Sequence, residues 1–179
     1  MSEATIESEV TPAPALDPED EKPESLTIVA WSGDLDRMWP TLILGSTGAA
    51  YGMQTTIFFT FWGLFPLVRE DVRITGTNAM TKALAGMNAP GMSRMKLSKM
   101  QMAGAGAAMM NKLARDQNVS GPQELIEMCI ELGVNLWPCE MTMDLLGIRP
   151  DQLIEGVGEP VGAATALSAI SRSNINLFI

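Results

Sequence analysis

Two cysteines and no histidine set the limits on what chemistry this 179-residue chain can do. Without an imidazole there is no Ser-His-Asp triad, no Cys-His pair and no histidine-ligated zinc within the chain. Cys129 and Cys139, ten residues apart, form neither a disulfide framework nor a Cys-x-x-Cys redox pair. Cys139 is the thiol placed to react. Residues 134–137 read as a short strand, Pro138 ends its ladder pairing, and residues 141–146 read as a short helix closed by Gly147. The sulfur then lies between the carboxyl end of a strand and the amino end of a helix, where free N–H groups and the helix's positive pole favour a thiolate and the adjoining Glu140 opposes it. Cys129, by contrast, shares an apolar helix face with Leu125, Ile126 and Ile130. That helix is opened by the capping box Ser120-Gly121-Pro122-Gln123 and ends at Gly133, so Cys129 reads as a buried structural thiol.

The elements that must position Cys139 follow from hydrophobic patterning. Residues 26–31 are apolar and β-branched without polar alternation, as in a strand buried on both faces. Ser32-Gly33-Asp34 is a turn and helix start, with Ser32 or Asp34 as N-cap. Leu35, Met38, Trp39, Leu42, Ile43 and Ser46 then share one helical face, with Pro40 either delaying the helix or kinking it. Residues 54–62 carry the strongest strand signal, and strand, helix, strand in this rhythm implies a parallel βαβ unit. Short helices are expected at 64–68 and 78–86, a short strand at 152–155, a small-residue helix at 163–171 and a closing strand at 175–179. The glycines at 156, 158 and 162 lack the Gly-x-Gly-x-x-Gly spacing and read as a turn. The result is an α/β chain whose parallel strands end at Ser32-Gly33-Asp34, at Trp62-Gly63 and at Pro138-Cys139. Ligands bind at such ends in open α/β sheets, so the three are expected to converge on one crevice.

Residues 1–25 carry eight acidic side chains and one lysine, and they read as a disordered acidic tail. Residues 26–179 form a single domain, with nearly half of the chain apolar. Within the domain, residues 69–115 hold eight basic side chains against Glu70 and Asp71, a locally basic face in an acidic protein. The methionine-rich basic segment at about 76–110 is an adaptable surface for an acidic partner or a membrane surface, or an interface between subunits. Residues 38–68 are uncharged, but their glycines and threonines argue against a membrane span; peripheral membrane contact stays open. Unpaired thiols suit a reducing, cytoplasmic setting, and the amino terminus has no secretory signal pattern. No nucleic-acid partner is expected.

Trp31-Ser32-Gly33-Asp34-Leu35-Asp36, Phe58-Phe59-Thr60-Phe61-Trp62-Gly63-Leu64, Lys96-Leu97-Ser98-Lys99-Met100, Cys139-Glu140-Met141-Thr142-Met143-Asp144 and Ser173-Asn174-Ile175-Asn176-Leu177-Phe178-Ile179 resemble the DsrE/DsrF-like family of sulfur-relay proteins. The match spans residues 26–179 and is nearest to the branch with a methionine-rich centre and a Cys-x-Met-Ser/Thr-Met motif. The resemblance implies a compact three-layer α/β fold of flavodoxin-like outline with a mostly parallel sheet. It further implies homo-oligomers, no cofactor, and a cysteine, here Cys139, that carries sulfane sulfur and exchanges it with TusA-type carriers and rhodanese-like proteins. Glu140 departs from the neutral glutamine often found there, and Pro40 from a helix former.

On this reading Cys139 accepts and yields sulfane sulfur as a carrier rather than as a conventional turnover enzyme. The amides of Met141, Thr142 and Met143 stabilise its charge, while Trp31, Trp62 and Trp137 either exclude water or, the more ordinary role, pack in the core. Ser32, Gly33, Asp34, Trp62 and Gly63 line the substrate crevice, with Asp34 orienting a donor or, more simply, capping its helix, and Lys96 and Lys99 either hold an anionic donor such as thiosulfate or solvate a loop. Two other readings compete. Cys139, Met141 and Met143, with Met92, Met95, Met100 and Met102, offer soft ligands for Cu(I), although helical spacing turns Met141 and Met143 to different faces. Alternatively the chain is a docking subunit with an inert thiol.

Overall fold

A computed structural model of the chain describes residues 24–72, 74 and 90–179. The expected tail up to residue 23, the helix at 78–86 and much of the methionine-rich segment lie outside the described residues. Ser25, assigned to the tail from sequence, opens the first strand.

Four strands, β1 (Ser25–Ala30), β2 (Gln54–Phe59), β3 (Asn135–Pro138) and β4 (Ile175–Phe178), form one parallel sheet in the order β3-β2-β1-β4. The chain steps outward from β1 to β2 and β3, then returns to lay β4 on the other side of β1. The direction of winding therefore reverses at β1, and the carboxyl ends of the central strands become the natural place for a ligand.

Alternation along each strand sorts side chains into two layers. Leu26, Ile28, Ala30, Ile57, Phe59 and Leu136 point to one face and merge with α1 (Leu35–Ala50) and α3 (Pro122–Glu131) into the main core. Ile28 and Ile57 are wholly buried there, each worth about 1.5–3 kcal/mol of apolar transfer. Val29 and Phe58 point the other way, toward α5 (Ala163–Arg172). Helix, sheet, helix is the three-layer α/β arrangement expected. Of the remaining helices, α2 (Ala105–Asp116) has no buried residue, while α4 (Glu140–Leu146) adds Met143 and Leu146 to the main core.

Several local expectations change. Helix α1 starts at Leu35, whose amide donates to the Lys96 carbonyl at 2.7 Å, and it runs through Pro40 rather than starting after it. Its buried face includes Leu35, Met38, Trp39, Leu42, Gly45 and Ser46, whereas Ile43 faces solvent. Strand β2 stops at Phe59 instead of reaching Trp62, because Phe61 takes a φ of 47° and begins a 3-10 helix, Phe61–Leu67. The strand expected at 152–155 is replaced by a 3-10 turn, Pro150–Gln152, and one antiparallel bridge between Val68 and Leu153. Glu124, not Gln123, closes the box at the start of α3 by accepting the Gly121 amide at 3.3 Å, which leaves Ser120 one residue outside it. Among the described residues no helix is long and apolar enough to cross a membrane.

Candidate functional site

Cys139 is the residue between β3 and α4, where the sequence places it. Pro138, however, does not end the ladder: it pairs in register with Phe59, and the Cys139 amide donates to the Phe59 carbonyl at 2.9 Å. The reason is that Pro138's backbone faces the outer edge of β3, where the ring costs no bond to β2. On that outer side its carbonyl accepts the Val161 amide at 3.0 Å, and the Glu140 amide returns to the Val161 carbonyl at 3.1 Å. The turn at 156–162 thus adds a parallel bridge, Cys139 to Val161, and leads directly into α5.

Alternation puts Cys139 on the same side as Trp137, the α5 side. Its neighbours are Val29, Phe58 and Ala166, with Trp137, Val161 and Ile170 packed around them. The thiol is only 3% exposed. Helix α4 turns Met141 outward and Met143 inward: Met141 is exposed, while Met143 is buried in the main core on the other side of the sheet. Met92 and Met95 also belong to the main core, and Met100 and Met102 are exposed, so the suggested Cu(I) ligand set is not assembled around Cys139. Thr142 is buried; its hydroxyl accepts the Phe61 amide at 3.1 Å and lies 3.3 Å from the Thr60 hydroxyl, tying α4 to the end of β2.

Cys129 is a different kind of thiol. It is fully buried in α3, its sulfur directed at the Leu42 carbonyl at 3.7 Å, and burial pushes its pKa up to about 11. That is the structural role its helical spacing predicts.

The other expected site residues gather elsewhere. A cleft of about 230 Å³ at the ends of β1 and β2 is lined by Trp31, Ser32, Gly33, Asp34, Trp62 and Lys96, joined by Phe65, Arg94 and Met95. Cys139, Met141, Thr142 and Met143 are not part of its lining, so the three strand ends do not converge on one crevice. The separation follows from the pleat: Cys139 turns under α5, whereas the cleft draws Phe65 and Met95 from the main core on the other face. Gly33 and Gly63 allow those two turns to cross. A Cβ on Gly33 would lie 2.4 Å from the Trp62 carbonyl oxygen, and one on Gly63 would lie 2.2 Å from that of Ala30. Lys99 is exposed and outside the cleft lining. Asp34 occupies the N-cap position of α1 without a capping side-chain bond; its carboxylate instead accepts the Ser32 hydroxyl at 2.9 Å.

Two carboxylates hold the loop that forms the cleft's outer wall. Burial pushes the Asp36 carboxyl up, but the Ser98 hydroxyl and amide outweigh it and keep the pKa below the usual range. The Ser93 hydroxyl and amide hold Glu70 low in the same way. Arg94 and Phe65 were not singled out from sequence as site residues, and Met95 was named only as a candidate Cu(I) ligand. The basic run that contains Arg94 was visible, but which of its charges folds back over the strand ends depends on these loop anchors. Val161 and Ala166, which cover Cys139, carried no signal at all.

The model of the DsrE/DsrF/DrsH-like family matches residues 22–178. A protein of Bacillus subtilis (strain 168) named "Uncharacterized protein YrkE" is 37% identical over 159 residues, which cover 89% of this chain and 99% of that one. "Sulfur carrier protein DsrE2" of Allochromatium vinosum is 35% identical over 167 residues, 87% of this chain and 98% of that protein.

Proposed function

The chain belongs to the DsrE/DsrF/DrsH-like family, and on that premise we propose that it is a sulfur carrier that holds sulfane sulfur on Cys139 and passes it to a partner thiol. The observation that carries the proposal is the seat of Cys139: a thiol at the carboxyl end of a parallel strand, in a chain 35% identical to a named sulfur carrier along nearly its whole length. Cys129, sealed in the core with its proton held up to about pH 11, is unsuited to the task.

Loading needs no histidine or metal. The Cys139 thiolate attacks the outer sulfur of a donor such as thiosulfate; a new S–S bond forms, the donor's S–S bond breaks, and sulfite leaves with the electron pair. An acceptor thiolate then attacks the outer sulfur of the persulfide, and Cys139 departs as thiolate. Both steps need the sulfur uncovered, and what covers it is slight: Ala166 is the one buried residue of α5. Trp137, Phe58 and Val29 beneath the thiol keep water from the loaded sulfur once α5 is seated. A TusA-type carrier or a rhodanese-like protein is the partner class that fits this exchange, with the chain acting as a homo-oligomer.

The test is intact-protein mass after reduced protein meets thiosulfate, tetrathionate or a persulfide donor, in the unmodified chain and in Cys139→Ser and Cys129→Ser. The expected result is a thiol-reversible adduct of one or more sulfur atoms that is lost only in Cys139→Ser. An adduct that persists in Cys139→Ser, or no adduct from any donor on a thiol shown to be free, overturns the proposal and leaves the reading of a docking subunit.

A further inference from the structure

The cleft between Trp31 and Trp62 does not contain the thiol, yet it is the most constructed feature at the strand ends. Its floor exists because Gly33 and Gly63 let two turns cross with their backbones in contact. Its outer wall is fixed at three points: the Gly91 amide donates to the Phe65 carbonyl at 3.1 Å, the Leu35 amide to the Lys96 carbonyl, and the Ser93 amide to Glu70 at 3.1 Å. This anchoring brings Arg94 and Lys96 into the same cleft lining as the two indoles.

Charge decides what such a cleft can hold. Two cations line it against one carboxylate, Asp34, and that carboxylate already accepts the Ser32 hydroxyl and stands 4.0 Å from Arg37 Nε; the charge of Arg94 also acts on Glu70, which lies outside the lining. Arg37 itself is at the rim, its guanidinium 5.0 Å from the Trp31 ring centre. A cation entering here meets like charges, whereas an anion meets a guanidinium, whose planar fork suits two oxygens at once, and an ammonium in the same lining. Indole walls lower the local dielectric and strengthen both contacts. At about 230 Å³ the cleft is smaller than sites for drug-sized ligands, and it suits an ion of a few heavy atoms.

We infer that this cleft is a binding site for a small oxoanion of the sulfate, thiosulfate or phosphate class, held by Arg94 and Lys96 between Trp31 and Trp62 and separate from the Cys139 thiol. The inference goes beyond sulfur carriage and does not depend on it.

The experiment is a tryptophan-fluorescence titration of the full chain carrying Cys139→Ser, so that no covalent loading interferes. Sodium sulfate, thiosulfate and phosphate are each compared with chloride at matched ionic strength, and the variants are Arg94→Gln and Lys96→Met. A saturable change with the oxoanions and not with chloride, with Kd raised at least tenfold in Arg94→Gln and clearly raised in Lys96→Met, is the expected result. Tighter binding of thiosulfate than of sulfate and phosphate would make the ligand a sulfur compound, and equal binding would make it any tetrahedral oxoanion. A response no different from chloride, or saturation unchanged in both variants, overturns the site. Should Arg94→Gln lose its native circular dichroism, Lys96→Met and the chloride control still decide. Because the thiol is absent throughout, failure here leaves sulfur carriage untouched, and failure of loading at Cys139 leaves this site untouched.

Discussion

The two faces of the sheet are built to different depths. Among the described residues, the face under α1 and α3 belongs to a cluster of twenty-five buried side chains, while the face under α5 has a cluster of four, one of them Cys139. The two cysteines divide along the same line, with Cys129 in the large cluster and Cys139 in the small one. A helix that buries a single alanine gains little from staying seated, so local opening on the α5 side costs far less than global unfolding. The molecule therefore keeps most of its buried core on one side of the sheet and Cys139 on the other.

That contrast can be broken by mutation. The largest effect is expected from Ile57→Ala, which removes a fully buried side chain from the thick side and lowers unfolding free energy by about 2–5 kcal/mol in a denaturant melt. On the thin side Leu167→Ala, at an exposed position of α5, should change it by less than about 0.5 kcal/mol. Similar losses at the two positions would erase the difference in depth. Gly63→Ala comes next: its Cβ would meet the Ala30 carbonyl, and overpacking of this kind costs about 1–3 kcal/mol. Disulfide-reagent labelling sharpens the comparison further. Cys139 should react in the native protein at least about tenfold faster than Cys129, a gap in opening free energy of roughly 1.4 kcal/mol or more. Equal rates would mean that α5 holds as firmly as α1.

Two smaller effects are read in pH. The Cys129 thiol stays protonated in the fold to about pH 11, while in the unfolded chain it ionises near 9. Between those values the unfolded state binds fewer protons than the native one, so stability is intact below pH 9 and falls as pH rises from 9 toward 11. Cys129→Ala should flatten that slope. The smallest change is expected from Asp36→Asn, which weakens an exposed anchor to Ser98 and costs about 1 kcal/mol or less. Since Asp36 is held below the usual carboxylate range, the unmodified anchor should survive acidification past the pH at which ordinary carboxylates protonate and be lost only below it.

Much of this was legible in the chain. The β-branched runs of β1 and β2, the amphipathic face of α1 and the left-handed Gly147 that closes α4 are local signals, and the structure repeats them to within a residue except at the end of β2, which stops three residues early. Cys139 was found because a strand ends and a helix starts beside it, both of which are local events. What was missed was its direction. Leu136 is the apolar anchor of β3 in the main core, and counting by two puts Trp137 and Cys139 on the opposite face, so the signal was present in the strand's period. Pro138 concealed it, because a proline that ends a ladder and a proline on an outer edge have the same sequence. Residues brought to the strand ends by a distant loop, such as Arg94, follow from anchors at Glu70 and Leu35 that no local window contains.

The bridge between Cys139 and Val161 fixes the path on one side of α5, and β4, paired with β1, fixes it on the other. The helix is therefore a span between two moorings, and the strand pairings at its ends do not themselves run through it. In kinetic terms, such a span acts as a clock. If its lifting precedes every attack on the sulfur, loading rates for different donors should rise with concentration and level off at one shared ceiling, the frequency with which α5 lifts.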